Sequence, residues 1–177
     1  MHDIMTRQAE RTVALVEAVR EDQLGLRTPC QDFDVKALIN HLEWVAAIFE
    51  SFAGKGPMPP QEPYAGDLRA RMDRTLAAWG KPEAWEGALP GLGLPMADVA
   101  RMFVCDLVVH GWDVAVATGQ GYKPVPEAVA EALDFAARMA PMGRQQGAFG
   151  EPVPVPEDAP ALDRLLGLTG RDPAWRP

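Results

Sequence analysis

Between residues 96 and 117 the chain places Val99, Phe103, Asp106, His110, Asp113 and Ala117 at steps of four, three, four, three and four. That spacing lays all six along one stripe of an α-helix, and no two-residue alternation competes with it. Gly119 and Gly121 then supply a stop. No alternating strand-like segments, βαβ rhythm, glycine-rich phosphate loop or internal repeat occurs elsewhere. An all-α bundle is therefore the simplest architecture that can cover such a helix.

The remaining segments fit that scheme. Residues 4–24 carry Met5, Ala9, Thr12, Val13, Val16 and Val19 at helical spacing, which predicts a first helix through Leu24. Pro29 breaks the pattern in residues 27–32, and Asp34 stands where an N-cap would open a second helix. There Leu38, His41, Val45, Ile48 and Phe52 form one stripe, so His41 is expected to point inward. Residues 54–66, with four prolines and three glycines, predict a flexible, exposed loop. A third helix fits residues 67–79 through Leu68, Met72, Leu76 and Trp79. A further one fits 126–139 through Val129, Leu133 and Ala136, with Pro126 in its first turn. Residues 141–160 are broken by proline and glycine, with an extended run at 153–156. Residues 162–168 suit one short turn of helix.

At 177 residues the chain suits one domain, 1–177, with a single core. Seventeen basic and 25 acidic residues leave a net charge of −8, which repels phosphate backbones and anionic lipid surfaces. Nucleic-acid and membrane partners are not expected. No apolar run reaches membrane-spanning length, and residues 1–10 lack a signal-peptide pattern, so the expected location is cytoplasmic. Cys30 and Cys105 match no metal-ribbon spacing and read as reduced thiols. Cys30 in its loop is read as incidental and Cys105 as packing. His2, at the terminus, is read as idle, and Trp44, Trp79 and Trp112 as core or pocket walls.

Asp106 and His110, four residues apart, project from one helix face one turn from each other. A carboxylate on an apolar stripe carries a large desolvation penalty unless something positive meets it. A divalent cation would, and His41, with no carboxylate three or four residues away, is the third candidate ligand. Two imidazoles and a carboxylate suit zinc and are compatible with nickel, iron or manganese, leaving open positions for water or substrate. A buried ion pair or structural hydrogen bonding fits the same spacing. Asp113 could orient His110 or tie to a neighbouring helix.

The stretches TPCQDFDVKALINHL (28–42), DLVVHGWDVAVATG (106–119) and LLGLTGRDPAWR (165–176) together resemble actinobacterial metal-binding proteins of the DinB superfamily. These are related to the N-terminal domain of mycothiol-dependent maleylpyruvate isomerase. The resemblance implies an up-down-down-up four-helix bundle, here with an additional short helix and an extended C-terminal tail. It also implies a metal site of His41, Asp106 and His110, with zinc expected first and nickel second. Many relatives carry glutamate where this chain has Asp106. Further implications are mycothiol as cofactor, a thiol and an electrophile as partners, transferase or isomerase chemistry, and a homodimer. The isomerase proper has an additional C-terminal domain for which 177 residues leave no room, so maleylpyruvate is not the expected substrate. The alternative is a non-catalytic, metal-dependent protein that binds a small molecule or thiol.

Overall fold

The computed structural model describes residues 1–30 and 33–177; Gln31 and Asp32, inside the expected 27–32 break, lie outside the described residues. Six α-helices follow one another: α1 (His2–Glu17), α2 (Val35–Ala53), α3 (Leu68–Trp79), α4 (Met96–Ala117), α5 (Pro126–Gln145) and α6 (Ala161–Leu168). Two 3-10 turns, Glu21–Gln23 and Pro82–Trp85, and two isolated bridges, Arg27 with Asp34 and Ala88 with Pro95, are the other regular features among the described residues. The chain is all-α, as its periodicity predicts. Among the described residues no helix is long and apolar enough to cross a membrane.

The helix signals act where the sequence places them. Asp34 caps α2, its Oδ1 accepting from the Ala37 amide at 2.7 Å. Gly119, at φ +70°, takes the left-handed conformation that ends α4 cheaply. Three expectations need correction. The first helix stops at Glu17 rather than running to Leu24. The Gln23 side chain accepts from the Arg20 amide at 3.0 Å and donates to the Thr118 carbonyl at 3.0 Å, so tertiary bonds replace further helical ones. The fifth helix runs past Met139 to Gln145 with Pro141 inside it. The carbonyl that Pro141 cannot engage belongs to Ala137, on the exposed face, where water can satisfy it. His2 is not idle: its Nε2 lies 3.0 Å from the Leu76 carbonyl and ties α1 to the end of α3.

The four helices α1 to α4 pack on one another, α5 lies on α4 and α1, and α6 lies on α5. The core between α2 and α4 is built on Phe49 and Phe103, whose rings stack at 4.6 Å. Beside them the buried Trp79 indole donates to the Phe49 carbonyl at 2.9 Å. Each such side chain contributes about 1.5–3 kcal/mol through burial. The loop over residues 54–66 is mostly exposed, as its composition predicts, yet it is tied down. Buried Glu43 accepts from the amides of Ala65 (3.0 Å) and Asp67 (2.8 Å), and Trp44 donates to the Pro59 carbonyl at 2.8 Å.

Candidate functional site

Gly111 determines how closely α1 approaches the middle of α4. A Cβ there would meet Thr12 Oγ1 and the Tyr122 hydroxyl at 3.1 Å each. Thr12 donates to the Leu107 carbonyl at 3.0 Å and Tyr122 to the Val108 carbonyl at 2.6 Å, which anchors the turn that carries His110. From α2, on the other side, His41 reaches toward the same turn. The His41 and His110 rings meet edge to face, with centroids 4.8 Å apart.

Each imidazole has its own support. His41 is stacked on Phe33 at 5.3 Å and has Trp44 at its edge at 6.0 Å. His110 is 7% exposed, and its Nδ1 lies 3.0 Å from Asp113 Oδ2. Asp113, 0% exposed, accepts there as a carboxylate, so Nδ1 carries the proton and the lone pair of His110 sits on Nε2. Asp113 is itself held by Arg171, 8% exposed, through Nη2 to Oδ2 at 3.1 Å and Nε to Oδ1 at 3.4 Å. The Arg171 Nη1 donates to the Thr169 carbonyl at 2.8 Å.

The electrostatics follow from this packing. Burial first, then the neighbouring His110 and Arg171, push His41 down to about 3 against the pull of Asp113. His41 is therefore neutral near pH 7, with a lone pair to offer. Burial raises the Asp113 carboxyl, but Arg171 and then His110 outweigh it and hold it below the ordinary range. Asp106 is pushed up to about 6 by burial, opposed by His110 and Arg171.

Of the three expected ligands, His41 and His110 face each other. Asp106, one turn before His110 on α4, lines a cavity bounded by α4 and α5. Among the described residues no three His, Cys, Asp or Glu side chains are gathered closely enough to hold one ion. The two imidazoles fit a divalent ion by chemistry: one is neutral, and the other has its Nδ1 engaged and its Nε2 left as donor. The carboxylate does not stand with them. Asp113 contacts His110, as one reading expected, and its other tie is to Arg171 in the chain beyond α6 rather than to a neighbouring helix. Cys105 is buried and Cys30 half-buried, and neither is in a disulfide. Cys30 lies within electrostatic reach of Arg171, closer to the site than its reading as incidental implied.

Sequence reasoning missed Arg171, and the signal for it was partial. A buried Asp113 demands a cation, and residues 165–176 contain Arg171, but 58 residues separate the two and no local period links them. Phe33 was missed as well, because a single aromatic before an N-cap carries no pattern.

A family model described as the mycothiol maleylpyruvate isomerase N-terminal domain matches residues 5–115, which span His41, Asp106, His110 and Asp113 but not Arg171. Two proteins described as uncharacterized, from Mycobacterium tuberculosis strains CDC 1551 / Oshkosh and ATCC 25618 / H37Rv, are each 31% identical over 172 residues. Those alignments cover 93% of this chain and 94% of each relative. No solved structure gives a significant match.

Proposed function

The chain belongs to the mycothiol maleylpyruvate isomerase N-terminal domain family, and from that footing we propose a metal- and thiol-dependent transferase or isomerase. A mycothiol-type thiol is its co-substrate and an electrophilic small molecule its acceptor. The facing imidazoles of His41 and His110, one kept neutral and the other oriented by Asp113, are the observation that carries this reading.

In this proposal His41 and His110 supply the nitrogen ligands, and Asp106, one turn away on α4 and not gathered with them, would complete the set by turning toward a bound ion. A divalent ion held there, zinc first and nickel second, would supply Lewis acidity and lower the pKa of a bound thiol or water. The chain's own residues do the rest. Asp113 keeps the His110 proton on Nδ1, and Arg171 keeps Asp113 ionised. Phe33 and Trp44 flank His41 and limit its access to water and proton donors. The thiol loses its proton to solvent, its sulfur bonds to the electrophilic carbon of an unsaturated acceptor as the π bond there breaks, and the displaced electron pair takes a proton from solvent.

Elemental analysis of untagged protein tests the ligand set, with His41→Ala, Asp106→Ala and His110→Ala beside the wild type. One divalent ion per chain, lost in each variant, is the expected result. Thiol consumption against a panel of electrophiles, lost in His110→Ala, then separates an enzyme from a non-catalytic binder. Wild-type protein that refuses metal on reconstitution would remove the proposal.

A further inference from the structure

A cavity of about 380 Å³ opens beside α4 and α5, and its lining includes Asp106. That volume lies in the range of small-molecule sites. Leu94, Met102, Phe135, Met139 and Phe149 form its walls. At its edge Leu92 is 51% and Met142 40% exposed, two of the few large apolar side chains the protein leaves in water. One wall depends on a glycine: a Cβ on Gly143 would meet the Phe149 ring at 2.7 Å, so only glycine lets that ring lie against α5.

The polar lining is as informative as the apolar part. No Lys, Arg or His lines the cavity, whereas the Asp106 carboxyl does, and it accepts no hydrogen bond from any described residue. A carboxyl among methionines and phenylalanines calls for a hydrogen-bond donor from whatever enters. An anion would meet the Asp106 carboxylate and the neutral Gln146 side chain, with no cation to compensate its charge.

We propose that this chamber binds a small organic molecule with an apolar body and an uncharged or cationic hydrogen-bond-donating head that meets Asp106. The methionine walls suit bodies of varied shape, because their thioether chains repack easily. The head then meets a carboxylate that lies one helical turn before His110 along α4. Identifying this molecule with the electrophile of the thiol reaction rests on the proposed function; the binding itself does not. A concave site of this size favours a small molecule over a second copy of the chain.

The test titrates metal-free protein with N-phenyl-1-naphthylamine, a neutral aromatic amine that fluoresces in apolar surroundings. Saturable binding is expected, competed by aryl and alkyl amines and not by naphthalene sulfonates or sugar phosphates. Met139→Trp, which fills the chamber, should weaken the probe about tenfold, equivalent to about 1.4 kcal/mol. Exposed Met142→Glu should weaken it in the same direction and cannot fail through loss of core packing. Asp106→Leu should abolish the discrimination against sulfonates. Non-saturable binding, equal affinity in both filling and rim variants, or preference for the sulfonate would overturn the proposal. So would affinity that falls as protein concentration rises, because self-association would then cover the mouth. His41→Ala should keep the probe while losing any bound metal, so failure of the metal reading and failure of the chamber are seen separately.

Discussion

Asp113 shows how one buried carboxylate can serve structure and site together. Its two oxygens hold His110 and Arg171, and neither partner has much access to water that could replace the contact. Removing one member of such a pair leaves an uncompensated buried charge, which costs about 3–5 kcal/mol. Arg171→Met should therefore lower the urea-derived stability by about that much. A double variant with Asp113→Leu as well should recover most of the loss, since both charges leave together. Arg171→Met within about 1 kcal/mol of wild type would mean that the pair contributes little. The link from Asp113 to His110 was legible in the sequence because three residues on a helix bring two side chains onto one face. Its link to Arg171 was not, because no period relates two residues joined only by folding.

Charge pairing also joins whole elements. Asp98, in the first turn of α4, accepts from Arg101 at 3.1 Å and from Arg138 of α5 at 2.9 Å. The Arg138 hydrogen bond, against burial and with help from Arg101, holds the Asp98 carboxyl below its usual range. A lowered folded-state value means that the stabilisation is present above the unfolded carboxylate pKa. It is lost as pH falls through the lowered value. Asp98→Asn should cost about 0.5–1 kcal/mol near pH 7, and that cost should shrink as pH falls through the lowered Asp98 value in urea titrations. A cost unchanged at the acid end would assign the effect to packing instead. At this scale α2, α3 and α4 were readable almost to the residue from their spacing, and Asp34 and Gly119 mark ends that local chemistry enforces. The end of α1 and the continuation of α5 were not. Gln23 bonding to Thr118 and packing through Ala140 are decided by distant neighbours.

Across the whole molecule, the segment after α5 returns to complete the interior. Leu165 and Leu166 of α6 are buried, Val153 donates to the Gly167 carbonyl at 2.9 Å, and Arg171 then reaches Asp113. A chain ended at Gly150 should lose at least the cost of the broken ion pair, about 3–5 kcal/mol, together with the burial of both leucines. Urea unfolding followed by near-UV circular dichroism checks this, and an unchanged transition would show that the segment is dispensable. By itself the sequence determined the helical class, the caps and breaks, and the inward faces that carry His41, Asp106 and His110. Each of these follows from bonds and spacings within a few residues. Only the tertiary structure decided that the two imidazoles face each other, that Asp106 lines an apolar chamber, and that Arg171 supplies the cation Asp113 requires. Those outcomes depend on how separate helices dock, and docking is governed by the shape and burial of the whole core.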